Sequence, residues 1–150
     1  MGELEASWTV EIEAPRERCW EIAADIEGAP KWQGTLEKVE VIERDAEKRP
    51  RIVETLSDAK VKKATAILRF DYDPPAGISW EQEKGDVKSL VGSWEFEELG
   101  PERTRATYAL RADPGRMLGM MLRGPVEGKV KEALTKGAAE GLKQEAESRG

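Results

Sequence analysis

Alternation of apolar and polar side chains dominates the first two thirds of the chain and predicts β-structure there. In "SWTVEIE" (7–13), Trp8, Val10 and Ile12 recur at every second position, which is typical of a strand with one buried face. Six further segments between residues 36 and 111 show strand-like patterns and are separated by short turn sequences. Because short links join antiparallel neighbours, we predict one antiparallel meander that is wet on one side. The six segments are 36–44, 51–58, 61–72, 77–83, 89–99 and 104–110.

A helical period replaces this alternation directly after the first strand. Pro15 suits the first helical position, because its fixed φ matches the helix and its missing donor costs nothing there. Cys19, Ala23 and Ile26 then follow at i, i+4 and i+7, until Gly28 and the proline after it stop the helix. The next segment, "APKWQG", is interpreted as a short helical turn or loop.

The longest predicted helix spans residues 126–147. Val126, Val130 and Leu134 begin an apolar stripe that continues through Gly137 or Ala138 and through Gly141 or Leu142. We predict an α+β fold with a single domain, 1–150, in which this helix lies across the apolar face of a strongly bent sheet.

The distribution of charged and apolar residues excludes some classes of binding partner. The net charge is −6, and acidic and basic residues are interleaved, so the chain lacks the basic stripe that binds nucleic acid. No apolar run approaches the ~18 residues of a membrane span. The N-terminus has no signal-peptide pattern, and the lone cysteine favours a reducing cytoplasm. We expect no nucleic-acid partner, no integral membrane segment, and a monomer or weak dimer.

The chain contains no histidine, which removes the commonest general base and the commonest metal ligand. A Ser-His-Asp or Cys-His site is therefore excluded within this chain, and Cys19 is expected to pack in the core. "GPVEGKV" lacks the spacing of a phosphate-binding loop. We expect neither a metal nor another cofactor.

A series of short motifs extends over almost the whole chain. "VEIEAP" is followed by "RCWEIAADIE" and "APKWQG", and later "GISW" is followed by "GSWEFEELGPERTRATYAL". In order and spacing these resemble the superfamily of START, Bet v 1-like and polyketide cyclase/dehydrase proteins. The resemblance covers roughly residues 6 to 147 and implies the helix-grip fold, in which a curved seven-stranded sheet wraps the C-terminal helix. It also implies an elongated cavity for an apolar small molecule such as a lipid, a quinone or a polyketide.

Small residues support a hollow between the predicted layers. They recur on inward strand positions and on the facing helix, where they either bring the backbones together or leave a void. On the strands they are Ala64, Ala66, Gly92 and Ala106, and on the helix they are Gly137, Ala138 and Gly141.

Three of the four methionines lie in "RMLGMML" (116–122). In a helix-grip arrangement this link lies near one mouth of the cavity, so Met117, Met120 and Met121 would form adaptable walls for apolar ligands. The alternative is that they pack as ordinary core under the first helices. We predict a pocket of ~300–1,000 Å³. Its expected lining comprises Phe70, Trp80, Gly92, Trp94, Tyr108, Met117, Met121, Val130 and Leu134.

The sequence leaves two main functions open. One is a carrier or binding protein for an apolar small molecule, and the other is a polyketide aromatase/cyclase that uses a pocket acid or base. Glu54 and Tyr108 are the weak candidates for that base, whereas Arg69 and Asp71 are predicted to point to solvent. Tyr72 and Gln82 complete the candidate polar groups. The carrier is favoured, because no pair of acid/base residues converges; a partner-binding accessory domain is a third possibility.

Overall fold

The computed structural model describes residues 3–58 and 62–149, which form one seven-stranded antiparallel sheet and a long C-terminal helix. The strands are β1 (Leu4–Ile12), β2 (Leu36–Arg44), β3 (Pro50–Asp58), β4 (Lys63–Asp73), β5 (Gly77–Gly85), β6 (Ser89–Gly100) and β7 (Arg103–Asp113). The helices are α1 (Arg16–Ala24), a 3₁₀ helix (Ile26–Lys31), α2 (Gly115–Met121) and α3 (Pro125–Ser148). The sheet order β1-β7-β6-β5-β4-β3-β2 makes β2 to β7 a meander, to which β1 adds beside β7. The predicted order of elements and the antiparallel sheet are confirmed.

The element boundaries depart from prediction near both ends of the chain. β1 begins three residues earlier than predicted, because Leu4 already pairs with Ala112 of β7. α1 ends at Ala24 and not at Gly28, because Asp25 leaves the helical conformation with ψ 76°. The segment 29–34, predicted to be a short helical turn or loop, begins within a 3₁₀ helix that starts earlier, at Ile26. An additional helix, α2, forms in the methionine-rich segment. Residue 61, the predicted start of β4, lies outside the described residues.

The register of β4 to β7 lines up large aromatic residues across the sheet. Phe70 lies opposite Trp80, Trp80 opposite Gly92, and Trp94 opposite Tyr108. A Cβ atom at Gly92 would lie 2.4 Å from the Trp80 indole, so only glycine leaves room for that ring. Gly92 therefore determines how the largest side chain of β5 lies on the concave face.

Charged side chains cover much of the opposite, convex face of the sheet. Arg69 pairs with Glu81 and Glu83 of β5, and Arg105 pairs with Glu97 of β6 and Glu11 of β1. Such exposed pairs each contribute about 0–1 kcal/mol, so they define the wet face more than they stabilise the fold. This arrangement agrees with the prediction that one face of the sheet is wet and that Arg69 points to solvent.

Helix α3 packs on the sheet through one side. Val130, Ala138, Leu142 and Ala146 are buried, and so is Thr135, whose hydroxyl donates to the Lys131 carbonyl within the same helix. The predicted stripe is therefore correct from Val130 onward.

The two glycines of α3 that were predicted to face the sheet have different surroundings. A Cβ atom at Gly141 would lie 2.1 Å from the backbone oxygen of Trp32, so this glycine permits a close approach to the end of the 3₁₀ helix. Gly137 is exposed, and a Cβ there would meet nothing within 4 Å. Its predicted place on the sheet-facing side is wrong, because Ala138 takes the buried position of that turn.

Helix α1 closes the other side of the core. Cys19 is fully buried, as predicted, and this burial raises the pKa of its thiol. The Trp20 indole N–H donates to the Gly77 carbonyl at 2.9 Å and so ties α1 to the start of β5.

Candidate functional site

An internal cavity of about 200 Å³ lies between the concave face of the sheet and α3. Strands β3 to β7 form its floor, Val130 and Leu134 of α3 form its roof, and Trp32 lies beside it after the 3₁₀ helix. The cavity is smaller than the predicted ~300–1,000 Å³. Large aromatic side chains of the sheet line the cavity and occupy part of the space between the two layers.

Four aromatic rings form one continuous wall of the cavity. Ring centroids are 5.5 Å apart for Phe70 and Trp80, 5.6 Å for Trp80 and Tyr108, and 4.7 Å for Tyr108 and Trp94. These separations lie in the range of favourable tilted aromatic contacts. The four rings therefore pack against one another and present aromatic surface that is suited to contact with another ring.

A polar pair interrupts this wall. The Gln33 side-chain amide donates to the Tyr108 hydroxyl at 3.5 Å, the long end of hydrogen-bond range. Among the described residues no group accepts the hydroxyl's own proton. Burial raises the pKa of Tyr108 to about 12, against a weaker lowering by the Gln33 hydrogen bond. Near neutral pH the hydroxyl is therefore protonated and available as a donor.

Gln82 supplies a second polar group to the lining. Its side-chain nitrogen, Nε2, donates to the Val87 carbonyl at 2.9 Å. This hydrogen bond determines the orientation of the amide group, with the oxygen at its other end. That oxygen, Oε1, is buried and has no hydrogen-bond partner in the described structure. A buried acceptor without a partner is costly, so a donor brought by a ligand would relieve this cost.

Every described side chain in the lining is uncharged. Besides Gln33, Gln82 and Tyr108, the polar lining residues are Thr35, Thr55, Ser57 and Thr65. The remaining lining residues are apolar. Tyr108 is the one titratable group among them. A charged ligand would lose its hydration here without finding an opposite charge, so the cavity favours neutral molecules.

Six of the predicted ligand-binding residues line the cavity. They are Phe70, Trp80, Trp94, Tyr108, Val130 and Leu134.

The other three predicted lining residues are placed differently. Gly92 is buried but does not line the cavity, because the Trp80 indole covers it. Met121 is 47% exposed, so its prediction as a lining residue is wrong: α2 turns Leu122, the residue after it, inward instead. The side chain of Met117 lies outside the described residues. Met120 is 61% exposed and also lies outside the cavity.

The charged candidates lie away from the cavity. Glu54 is exposed, because Val53 and Thr55 take the inward positions of β3. Asp71 is exposed, as predicted. The Tyr72 hydroxyl donates to the Pro50 carbonyl, so this tyrosine is occupied elsewhere. Of the two weak catalytic candidates, only Tyr108 lies in the cavity.

Sequence reasoning missed several members of the lining. Gln33 and Trp32 follow the 3₁₀ helix, and Thr55 comes from β3. The segment "APKWQG" supplies both residues, but nothing local in its sequence shows that Gln33 reaches Tyr108 of β7. For Thr55, the alternation of apolar Val53, charged Glu54 and Thr55 would have been the usable signal.

Two further features bear on the class of site. No helix in the described ranges is both long enough and apolar enough to cross a membrane. Within those same ranges, no group of three or more histidine, cysteine or acidic side chains could hold a metal ion.

Comparison of the backbone with solved structures gives several close fold matches. A START superfamily protein from Mycobacterium smegmatis is 20% identical, with a TM-score of 0.84 over 97% of this chain and 99% of its own. A protein from Thermus thermophilus is 23% identical, with a TM-score of 0.84 and the same coverage. The Zhui aromatase/cyclase from Streptomyces sp. R1128 is 24% identical, with a TM-score of 0.78 over 98% of this chain and 95% of its own. At these identities the matches show a shared fold, the predicted helix-grip fold.

Comparison at the level of sequence identifies the family. No curated protein matches the chain significantly. The profile of the family described as polyketide cyclase / dehydrase and lipid transport matches residues 12–137, which include the strands of the cavity wall and about half of α3. The chain therefore belongs to the polyketide cyclase/dehydrase and lipid transport family.

Proposed function

We propose that this protein binds and carries a neutral, largely apolar small molecule in the cavity between the sheet and α3. The observation that carries the proposal is the uncharged, aromatic lining with one unused donor, the Tyr108 hydroxyl. An acid/base enzyme needs a group that takes or gives a proton near neutral pH, and a tyrosine with a pKa of about 12 is poorly matched to that task.

The polar groups of the lining suggest the chemistry of the ligand. The free proton of Tyr108 suits a carbonyl oxygen, and the unpaired Gln82 oxygen suits a hydroxyl group. A cavity of about 200 Å³ is somewhat larger than the ~150 Å³ engineered cavity that holds benzene. The supported class is therefore a compact quinone-like or polyketide-like molecule of about one or two rings with oxygen substituents.

The direct test uses matched pairs of ligands. Binding of 1-tetralone and of tetralin, which lacks the carbonyl, is followed by quenching of tryptophan fluorescence. We expect the wild-type protein to bind tetralone about tenfold more tightly, the value of one buried hydrogen bond, and Tyr108→Phe to remove that preference. Equal affinity for the two compounds in the wild type would contradict the assigned role of Tyr108.

The location of the ligand is tested by filling the cavity. Ala66 lines it, whereas Ile67, the next residue of β4, does not. We expect Ala66→Trp to abolish tetralone binding and the matched control Ile67→Trp to leave it within about twofold, as expected for a surface change. If both folded variants bind as the wild type does, the ligand does not occupy this cavity.

The second candidate function is a polyketide aromatase/cyclase, which the position of Tyr108 supports. A protonated hydroxyl that donates to a ketone would stabilise the enolate formed during ring closure. The test incubates the protein with a poly-β-ketone mimic and follows the products by mass spectrometry. We expect the compound to be recovered unchanged. Selective ring closure that Tyr108→Phe slows by about 10²–10⁴-fold would instead establish the enzyme.

A further inference from the structure

The turn between α2 and α3 exposes several large apolar side chains close together. Met120, Met121 and Val126 are 61%, 47% and 37% exposed, and they lie within seven positions of the chain. The chain turns between them at Gly124, whose φ of +66° favours glycine. Single exposed apolar residues are ordinary, but three around one turn form a patch.

Basic side chains surround this apolar patch. Arg116, Arg123 and Lys129 are exposed, and none of them forms an ion pair within the described residues. Of the two acidic side chains in this region, Glu127 is paired with Lys131 at 2.9 Å and Asp113 with Lys88 at 3.9 Å. Residues 113–131 thus carry a net charge of +2 in a chain whose total is −6. We refer to the surface formed by Arg116, Met120, Met121, Arg123, Val126 and Lys129 as the α2–α3 corner.

The α2–α3 corner lies beside the cavity. Arg116, Met120 and Arg123 line a surface groove. Its other charged members are Lys88 of the β5–β6 turn, Asp113 and Glu127, and both carboxylates are paired with lysines. Leu4, Pro114 and Leu122 line both this groove and the internal cavity, so a thin apolar partition separates the two. A partner that covers the corner would therefore also cover this wall of the cavity.

We propose that the α2–α3 corner docks on the surface of an anionic lipid bilayer. Apolar side chains of this kind enter the boundary between headgroups and acyl chains, while the surrounding guanidinium and ammonium groups contact phosphates. The total charge of −6 does not prevent this, because charges beyond about 8 Å are screened at physiological ionic strength. The methionines favour a lipid surface, because their flexible side chains need no fixed complementary shape. The docking concerns a surface separate from the cavity, so it does not depend on the proposed ligand.

The test measures co-sedimentation of the full chain with vesicles of phosphatidylcholine alone and of phosphatidylcholine mixed with phosphatidylglycerol. We expect binding to the mixed vesicles that weakens at high salt. The triple variant Arg116→Gln, Arg123→Gln, Lys129→Gln should lower the partition coefficient about 100-fold, about fivefold for each basic residue. The double variant Met120→Ser, Met121→Ser should lower it by at least about tenfold through lost apolar insertion.

Matched controls separate the corner from general surface effects. The triple variant Lys31→Gln, Lys38→Gln, Lys84→Gln removes the same charge from exposed positions elsewhere, and Ile42→Ser removes a 55% exposed apolar side chain of β2. Both should bind as the wild type does, and circular dichroism should show that every variant is folded. Absence of vesicle binding by the wild type would overturn the proposal, as would equal losses in the controls. Binding of an acidic carrier protein through the corner, without binding to either type of vesicle, would also overturn it.

Discussion

The concave face of the sheet and the α2–α3 corner both concentrate large apolar side chains, yet they differ in how these are enclosed. Trp80, Trp94 and Tyr108 are each less than a tenth exposed and contact one another ring to ring. Met120 and Met121 are exposed in a segment that also carries Arg116 and Arg123, which form no ion pair in the part of the chain that the structure describes. The rings are covered because α3 packs over the sheet, whereas the corner is the connection that leads into α3. Apolar residues thus form a packed wall in one place and an adaptable surface in the other.

The largest expected difference between the two regions is in stability. We expect Trp94→Ala to lower the free energy of unfolding by about 3–5 kcal/mol, because it leaves a cavity among Trp32, Phe96 and Tyr108. Met120→Ala at the corner should change it by no more than about 0.5 kcal/mol. Urea unfolding followed by circular dichroism measures both. A loss at Met120 as large as that at Trp94 would show that the corner packs as core.

The two sides of helix α3 also differ in how closely they are packed. Substitutions there should change the free energy of unfolding by less than Trp94→Ala does. Gly141→Ala should destabilise the protein by about 1–3 kcal/mol, because the new methyl group would press on the rigid backbone at Trp32. Gly137→Ala, on the exposed side, should stabilise it by up to about 1 kcal/mol through better helix propensity. Thermal melting of the two variants should therefore show shifts of opposite sign. Two shifts of the same sign would contradict the close contact at Gly141.

The smallest expected effect concerns the ionisation of Tyr108. The chain has two tyrosines, so Tyr72→Phe leaves Tyr108 alone, and its absorbance at alkaline pH should report a pKa of about 12. The folded value lies above the ~10 of an unfolded chain. The stability that this difference contributes is therefore complete below pH ~10 and is lost as the pH rises through about 12. Titration near ~10 in the folded protein would show that water reaches the hydroxyl.

Local pattern determined much of the fold, because strand alternation and helical period depend on near neighbours. β2 has the predicted bounds, and the five strands after it differ from prediction by only a few residues at either end. The same alternation placed Phe70, Trp80, Trp94 and Tyr108 on one face, so most of the aromatic wall was predictable. The same patterns predicted seven strands, whereas the cavity came from the family resemblance and not from periodicity.

Contacts between distant parts of the chain decided the rest. Gln33 reaches Tyr108 across 75 positions, and the Gly141 helix turn meets the backbone of Trp32; no local pattern encodes either approach. Met121 was assigned to the cavity because methionines suit one, but the path of α2 turns Leu122 inward instead. A sequence specifies which side chains prefer burial through their own chemistry. Which of them are actually covered depends on the layer packed against them, and only the tertiary structure supplies that layer.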